Sequence, residues 1–125
     1  MALQVELVSP ERILYSGDAE MVVCRTVGGG EVAFLTGHAP FLGALETGVV
    51  RVKTSGGEEV AAVHGGFVEV RDNRVIILSD VAELAADIDA SRAQRAKDAA
   101  TGDDEETVAA RARADARLNA ANRAA

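Results

Sequence analysis

The composition of the chain changes abruptly near residues 79–87, and this change is the strongest constraint on what the chain can fold into. Every glycine except Gly102 lies before it, together with most of the valine, isoleucine, leucine and phenylalanine residues. After it, the chain consists largely of alanine, arginine and acidic residues. Residues that favour strands and turns therefore precede residues that favour helices. We expect two parts, residues 1–84 and residues 85–125.

The first part alternates apolar and polar residues in the manner of half-buried strands. Leu3, Val5 and Leu7 alternate with polar residues, and later runs repeat this period. The predicted turns between runs are Gly17-Asp18, residues 28–30, Ser55 to Gly57, Gly65-Gly66 and Asp72-Asn73. Many short strands at regular spacing predict an antiparallel sandwich or barrel.

One predicted loop, residues 36–45, is unusually apolar. It places Phe41 and Leu42 among glycines and Pro40, whereas a solvated turn would carry Asn, Asp and Ser. Gly37 and Pro40 restrict the backbone to a set shape. The residues alone leave two readings open: the apolar tip folds back on its own core, or it is offered to a partner.

The second part predicts two helices joined by a short loop. Asp87 or Asp89 can cap the first helix, which Gly102 would end in the left-handed conformation. Asp103, with Glu106 three residues later, fits a cap for the second helix. Because the helices have few large apolar side chains, we expect weak docking on the first part. A mobile regulatory element and a poorly packed appendage both fit this expectation.

Composition excludes several classes of protein. The net charge of -7, from 20 acidic and 13 basic residues, argues against binding to nucleic acid or anionic lipid. Cys24 is the single cysteine, so we expect no disulfide, no cysteine zinc site and a buried, inert thiol. We also expect neither a signal peptide nor a spanning helix, since no run approaches about 20 apolar residues.

No catalytic set emerges from the residues. His38 and His64 lack the spacing of metal ligands, and the serines lack a neighbouring base. We therefore predict no catalytic residues, no metal and no required cofactor. Asp89 and Arg92, three residues apart on a predicted helix, fit a helix cap with a surface ion pair better than a phosphate site.

Three segments together resemble the epsilon subunit of bacterial F-type ATP synthase, called delta in mitochondria. They are GGGEVAFLTGHAPFLGALETGVVRV, HGGFVEVRDNRVIILSDVAE and IDASRA. The resemblance implies an N-terminal antiparallel β-sandwich followed by a two-helix hairpin, in agreement with the pattern of residues.

The resemblance also implies a function. The sandwich would couple the gamma subunit of the central stalk to the c-ring, on the cytoplasmic side of the cell membrane, as a peripheral and non-catalytic subunit that does not insert. The residues implied for this surface are Glu31, His38, Ala39, Pro40, Phe41 and Leu42.

The hairpin of the family is a mobile inhibitor of ATP hydrolysis, which permits turnover when docked and obstructs the beta (and alpha) subunits when extended. The arginines implied for contact with acidic beta-subunit residues are Arg111, Arg113, Arg117 and Arg123. Some members bind ATP as a regulatory ligand through a motif that is similar to Ile88, Asp89, Arg92 and Ala93. ATP would then stabilise the docked form.

Two other classes of function stay open beside the resemblance. One is an independent ligand-binding β-sandwich with a helical tail, which the scarcity of aromatic residues and the lack of tryptophan disfavour for sugar ligands. The other is a small enzyme, for which the sequence offers no residue set.

Overall fold

The computed structural model describes residues 2–124, and it contains eight strands followed by two helices. This order confirms the predicted fold class. The strands are β1 (Leu3–Val8), β2 (Ile13–Ala19), β3 (Met21–Thr26), β4 (Gly30–Leu35), β5 (Phe41–Thr54), β6 (Gly57–Arg71), β7 (Arg74–Leu78) and β8 (Ala82–Leu84). A 3-10 turn (Ala85–Asp87) then leads to the helices α1 (Ala90–Ala99) and α2 (Glu105–Ala124).

Two long strands, β5 and β6, connect the two layers of the sandwich. The strand order is β2-β1-β7-β6-β5-β3-β4, and β8 pairs with β6 beside this path. The second half of β6 pairs with β7, whereas its first half pairs with β8. All neighbouring pairs are antiparallel except β1 and β7, which run parallel.

The main core lies between the layers and follows directly from the alternation in the sequence. Leu3, Val5 and Leu7 on β1 are at most 1% exposed, and they face one core with Phe34 and Val52 from the other layer. Side chains that alternate along a strand point to opposite faces, so the apolar set of each strand meets the core. Cys24 is also buried there, and burial raises the pKa of its thiol to about 12.

A second, smaller core holds the helices against the sandwich. It consists of buried residues from β6, the 3-10 turn and α2, namely Val60, Ala62, Ala85, Ala116 and Ala120. Helix α2 lies against β5 and β6, and α1 packs on α2. The alanine content of this seam lets the helix approach the sheet closely, but each methyl buries little area.

Two predicted turns and the end of the predicted loop 36–45 were wrong because the strands are longer than the sequence indicated. Gly17 lies within β2, Gly65-Gly66 lies within β6, and residues 41–45 open β5. At Gly66 the reason is close packing: a Cβ would lie 2.1 Å from the carbonyl oxygen of Leu78. The turn at Asp72-Asn73 is confirmed, with φ angles of 51° and 59°.

The helices begin and end differently from the prediction at two of the four ends. Asp89 caps α1 as expected, since its Oδ1 accepts a hydrogen bond from the Arg92 amide at 3.0 Å. Helix α1 ends at Ala99, and Gly102 is not left-handed. The cap of α2 is Asp104 and not Asp103, because the helix begins at Glu105. Oδ2 of Asp104 accepts a hydrogen bond from the amide of Thr107 at 3.1 Å.

Candidate functional site

The predicted interaction loop is held by the hairpin between β6 and β7. Residues 36–40 connect β4 to β5. The Gly37 amide donates to Oδ1 of Asn73 at 2.7 Å, and the His38 amide donates to the carbonyl of Leu35 at 3.1 Å. Gly37 has a φ of 84°, in the region that favours glycine. The loop therefore has one fixed shape without help from a partner.

The apolar residues of this loop divide between the two readings of the sequence. Phe41 is half-buried and packs on the buried Phe34, with 5.4 Å between ring centroids. His38 meets the same ring edge-on at 4.9 Å, and its Nδ1 donates to the carbonyl of Ala39 at 2.7 Å. Leu42, in contrast, is 72% exposed. Phe41 thus belongs to the core, while Leu42 is available to a partner.

Glu31 is not part of this group in the structure. It lies near the start of β4, four residues before Leu35, and its carboxylate is 3.4 Å from Nη2 of Arg51. It lines a cleft of about 580 Å³ between the sandwich and α2, with Asn119 and Arg123 on the helix side. The loop residues come together, whereas Glu31 faces the docked hairpin.

An apolar row that sequence reasoning missed crosses five strands on the outer face of the sandwich. We use this name for the laterally paired residues Ala44, Phe67, Leu78, Val8 and Ile13. Phe67, Leu78 and Ile13 are 58%, 53% and 59% exposed. At a strand spacing of about 4.8 Å, the row spans about 19 Å. Leu42 lies two residues from Ala44, so the row adjoins the interaction loop.

The residues of the proposed ATP motif line one cavity of about 400 Å³. Ile88, Asp89, Arg92 and Ala93 surround it with Glu83, Asp87, Ala96 and Arg117. The Asp89 carboxylate already caps α1, and Ala93 is buried. Arg92 is exposed, and the structure of residues 2–124 gives its guanidinium no hydrogen bond or ion pair. Arg92 is therefore the group that is available to an anionic ligand.

The four arginines of α2 do not form one free basic face. Arg111 donates from Nε to the carbonyl of Ala100 at 2.9 Å and so ties α2 to the interhelix loop. Arg113 pairs with Glu106 on the same helix at 3.2 Å. The last two reach the sandwich: Arg117 binds Glu83 at 2.7 Å and Arg123 binds Glu58 at 2.8 Å. In the docked form all four arginines are engaged within the chain.

The contact between Arg117 and Glu83 belongs to a partly buried polar junction between sandwich and hairpin. Oε1 of Glu83 also accepts a hydrogen bond from Nε2 of His64, at 2.9 Å. The His64 side chain is only 4% exposed, and its Nδ1 has no hydrogen-bond partner among the described residues. Burial is the main cause that lowers the pKa of His64, although the Glu83 carboxylate opposes it. Hydrogen bonds from His64 and Arg117 outweigh burial and lower the pKa of Glu83.

The comparisons with known proteins agree on one family. A family model described as the beta-sandwich domain of the ATP synthase delta/epsilon chain matches residues 2–85. A Streptomyces griseus protein named ATP synthase epsilon chain is 47% identical over 119 residues, which are 94% of either chain. A Streptomyces avermitilis protein of the same name is 48% identical over 119 residues, with the same coverage.

The chain belongs to the ATP synthase epsilon chain family. Two solved structures share the fold of this epsilon-family chain. A chain of the Euglena gracilis mitochondrial ATP synthase superposes with a TM-score of 0.73 at 23% identity, covering 97% of this chain and 78% of that one. A chain of the Tetrahymena thermophila mitochondrial ATP synthase central stalk superposes with a TM-score of 0.66 at 16% identity, covering 99% and 96%.

The rest of the described chain adds no other kind of site. No helix within residues 2–124 is long and apolar enough to cross a membrane. Over the same residues, no group of three His, Cys, Asp or Glu side chains is placed to hold a metal ion. The candidate functional features of this epsilon-family chain are thus the interaction loop, the apolar row, the cavity beside α1 and the ion pairs between α2 and the sandwich. The division into residues 1–84 and 85–125, and the site assignments implied by the resemblance, stay predictions.

Proposed function

We propose that the chain is a non-catalytic subunit of the central stalk of a proton-translocating F-type ATP synthase, where it connects the gamma subunit to the c-ring. Family membership supports the assignment, and the apolar row is the observation that carries it. A side-by-side row of exposed apolar residues on a sheet face is typical of a surface that a protein partner covers.

The gamma subunit is the partner that we assign to the apolar row. Phe67 and Leu78 are opposite each other on β6 and β7, so one partner element can cover both. A cavity of about 340 Å³ adjoins them and is lined by Pro10 and Ser9 as well. This depression can accept an apolar side chain from the partner.

The c-ring contact that we propose uses the fixed loop next to the row. Ala39 and Pro40 are exposed in this loop, His38 is half-buried, and Leu42 continues the surface toward the apolar row. Their rigidity avoids the entropic cost of ordering a loop on binding. Inclusion of Glu31 would require a surface that extends at least about 13 Å along β4.

The hairpin is proposed to regulate ATP hydrolysis by leaving the sandwich. In the docked form, Arg117 forms an ion pair with Glu83, and Arg123 forms one with Glu58. Undocking frees both guanidinium groups for acidic residues of the beta (and alpha) subunits, so docking and inhibition exclude each other. The seam of alanine residues supports this proposal because it stabilises docking only modestly.

ATP is proposed as a regulatory ligand of the cavity beside α1. Arg92 would bind phosphate there and Ile88 would supply an apolar wall. Calorimetry with ATP should show binding that Arg92→Ala weakens and that Arg95→Ala, an exposed change on the same helix, leaves intact. We expect Asp89→Ala to weaken binding as well, partly through loss of the helix cap. If ATP gives no heat of binding with the unmodified chain, the proposal of an ATP site is refuted.

The location follows from the same assembly: the chain would be a peripheral subunit on the cytoplasmic side of the cell membrane. It would contact the c-ring and not lipid. The net charge of -7 supports this, since anionic lipid would repel such a chain.

Complex formation with purified gamma subunit tests the central proposal. Size exclusion should give a stoichiometric complex that Phe67→Asp disrupts. The matched control is Val108→Asp, because Val108 is 47% exposed but lies on α2 and not on the sandwich. An independent ligand-binding sandwich would form no such complex with either variant or with the unmodified chain.

Hydrolysis by the assembled catalytic complex tests the regulatory part. The complex carries either the full chain or a chain truncated after Leu84, the last residue of β8. A rise in ATP hydrolysis on truncation is expected. Unchanged hydrolysis, with the truncated chain still bound, would limit the function to coupling.

A further inference from the structure

His64 is connected to the hairpin through Glu83, although nothing in its sequence neighbourhood indicates this. It stands on β6 with a side chain that is only 4% exposed. Glu83 on β8 accepts its Nε2 hydrogen bond at 2.9 Å and also binds Arg117 of α2 at 2.7 Å. A histidine, a carboxylate and an arginine from three elements thus form one chain of hydrogen bonds.

The hydrogen bonds fix the form of the imidazole in this docked state. Nε2 carries the proton that Glu83 accepts, because the pKa of Glu83 is lowered and its carboxylate is ionised. Nδ1 is then the unprotonated nitrogen, and it is buried without a hydrogen-bond partner in the described part of the chain. Protonation would place an N–H donor at Nδ1, where residues 2–124 supply no acceptor, and this is costly in a buried site.

Charged groups lie near the imidazole on β8, on α2 and in the segment between β7 and β8. Glu83 on β8 favours the protonated form, while Arg117 and Arg113 on α2 oppose it. Asp80, in the segment between β7 and β8, lines the same cavity as His64. Both cations that oppose protonation lie on α2. When α2 departs, their repulsion disappears, so the free sandwich accepts the proton more readily.

We propose that His64 makes the docking of the hairpin sensitive to pH, so that acidification releases α2 from the sandwich. Protonated His64 disfavours the docked form and leaves the undocked form almost unaffected. The inference concerns docking within the chain and rests on the proposed mobility of the hairpin. It requires no partner subunit.

The direction and the pH window follow from linkage. The pKa of His64 is lowered in the docked form, so the docked form has its full stability above pH 6.5, the ordinary pKa of histidine. That stability falls as the pH drops through this value. Glu83 acts in the same direction, but only near or below its ordinary value of 4.5. Docking lost between neutral pH and about pH 5.5 is therefore assigned to His64.

Energy transfer between two dyes on the full chain measures docking directly. Cysteines introduced at Ser55 and Asn122 place one dye on the turn between β5 and β6 and the other at an exposed position of α2. Cys24 is buried and stays unlabelled. Between about pH 7.5 and 5.5, we expect the undocked fraction to rise roughly threefold or more. In the His64→Gln variant the fraction should not change with pH. In the matched control His38→Gln, which alters the other histidine, the rise should persist.

The same chain gives a second measurement that does not depend on a variant. With two histidines in the sequence, an NMR titration resolves the rings of His38 and His64. His64 should titrate below its ordinary value of 6.5. A pH-independent docked fraction, an unchanged rise in His64→Gln, or a His64 that titrates at or above that value would each overturn the proposal. None of these results depends on ATP hydrolysis, so the proposed function is tested separately.

Discussion

A charge placed in the alanine seam should release the hairpin without unfolding the sandwich. Ala120 of α2 is fully buried and packs with Val60 and Ala62 on β6. The Ala120→Asp substitution would place a carboxylate in this apolar contact, and the nearest arginines of α2, Arg117 and Arg123, are already paired with Glu83 and Glu58. The chain can then either bury the charge or separate the two surfaces.

The magnitudes decide between these outcomes. Two buried alanine methyls and partly buried neighbours stabilise docking by about 2–3 kcal/mol. The Arg117–Glu83 pair adds about 1 kcal/mol after allowance for solvent screening, since each side chain is about a third exposed. Ordering the hairpin offsets part of this sum, which leaves roughly 2 kcal/mol. An unpaired buried carboxylate costs several kcal/mol, more than docking provides.

Undocking is therefore the expected response, and the ratio of docked to undocked forms should reverse from roughly 30:1 to an excess of the undocked form. Dyes at Ser55 and Asn122 report the separation by energy transfer, and thermal unfolding reports the sandwich. The matched control is Ala112→Asp, an exposed site on the same helix. Efficient transfer in Ala120→Asp, equal to that in the control, would refute this estimate of the docking energy.

Three further outcomes are expected. Gly66→Ala should lower the free energy of unfolding by about 3–5 kcal/mol in urea titrations, because the new Cβ would collide with the backbone of β7 at a positive φ. The control Gly56→Ala, whose Cβ would meet open space, should change the free energy of unfolding by less than about 1 kcal/mol. Cys24 should not react with a thiol reagent near pH 8 until the chain unfolds, since its thiol has a pKa of about 12, and rapid native labelling would contradict this. Added salt should raise the undocked fraction by screening the Arg123–Glu58 pair. In the Glu58→Gln variant this effect of salt should be largely lost.

The parts of the fold that sequence predicted well are those in which local pattern and burial coincide. The strand that starts at Leu3 and the hairpin turn at Asp72-Asn73 were both predicted, since each depends on the period of a strand or on turn residues. The glycine pair at Gly65-Gly66 was misassigned because a glycine can either break a strand or permit close approach of a neighbouring backbone. Local sequence does not distinguish these two uses.

The site was predicted to a different extent in each of its parts. The loop residues His38 to Leu42 do come together, and their glycine and proline neighbours gave the signal. The separation of Glu31 from them depends on the length of β4, which the motif does not encode. The apolar row was missed because each of its residues lies on a different strand. On its own strand, each looks like one ordinary exposed apolar residue.

By itself, the sequence determined the fold class, the strand and helix periods, the family and the apolar composition of the loop. These properties depend on residues that are close together along the chain. Only the tertiary structure placed His64, Glu83 and Arg117 in one hydrogen-bonded group and assembled the apolar row. The physical reason is that alternation indicates which face a side chain occupies but not which strand or helix lies opposite. That partner is set by long-range register and by the docking of α2, and both are decided when the whole core forms.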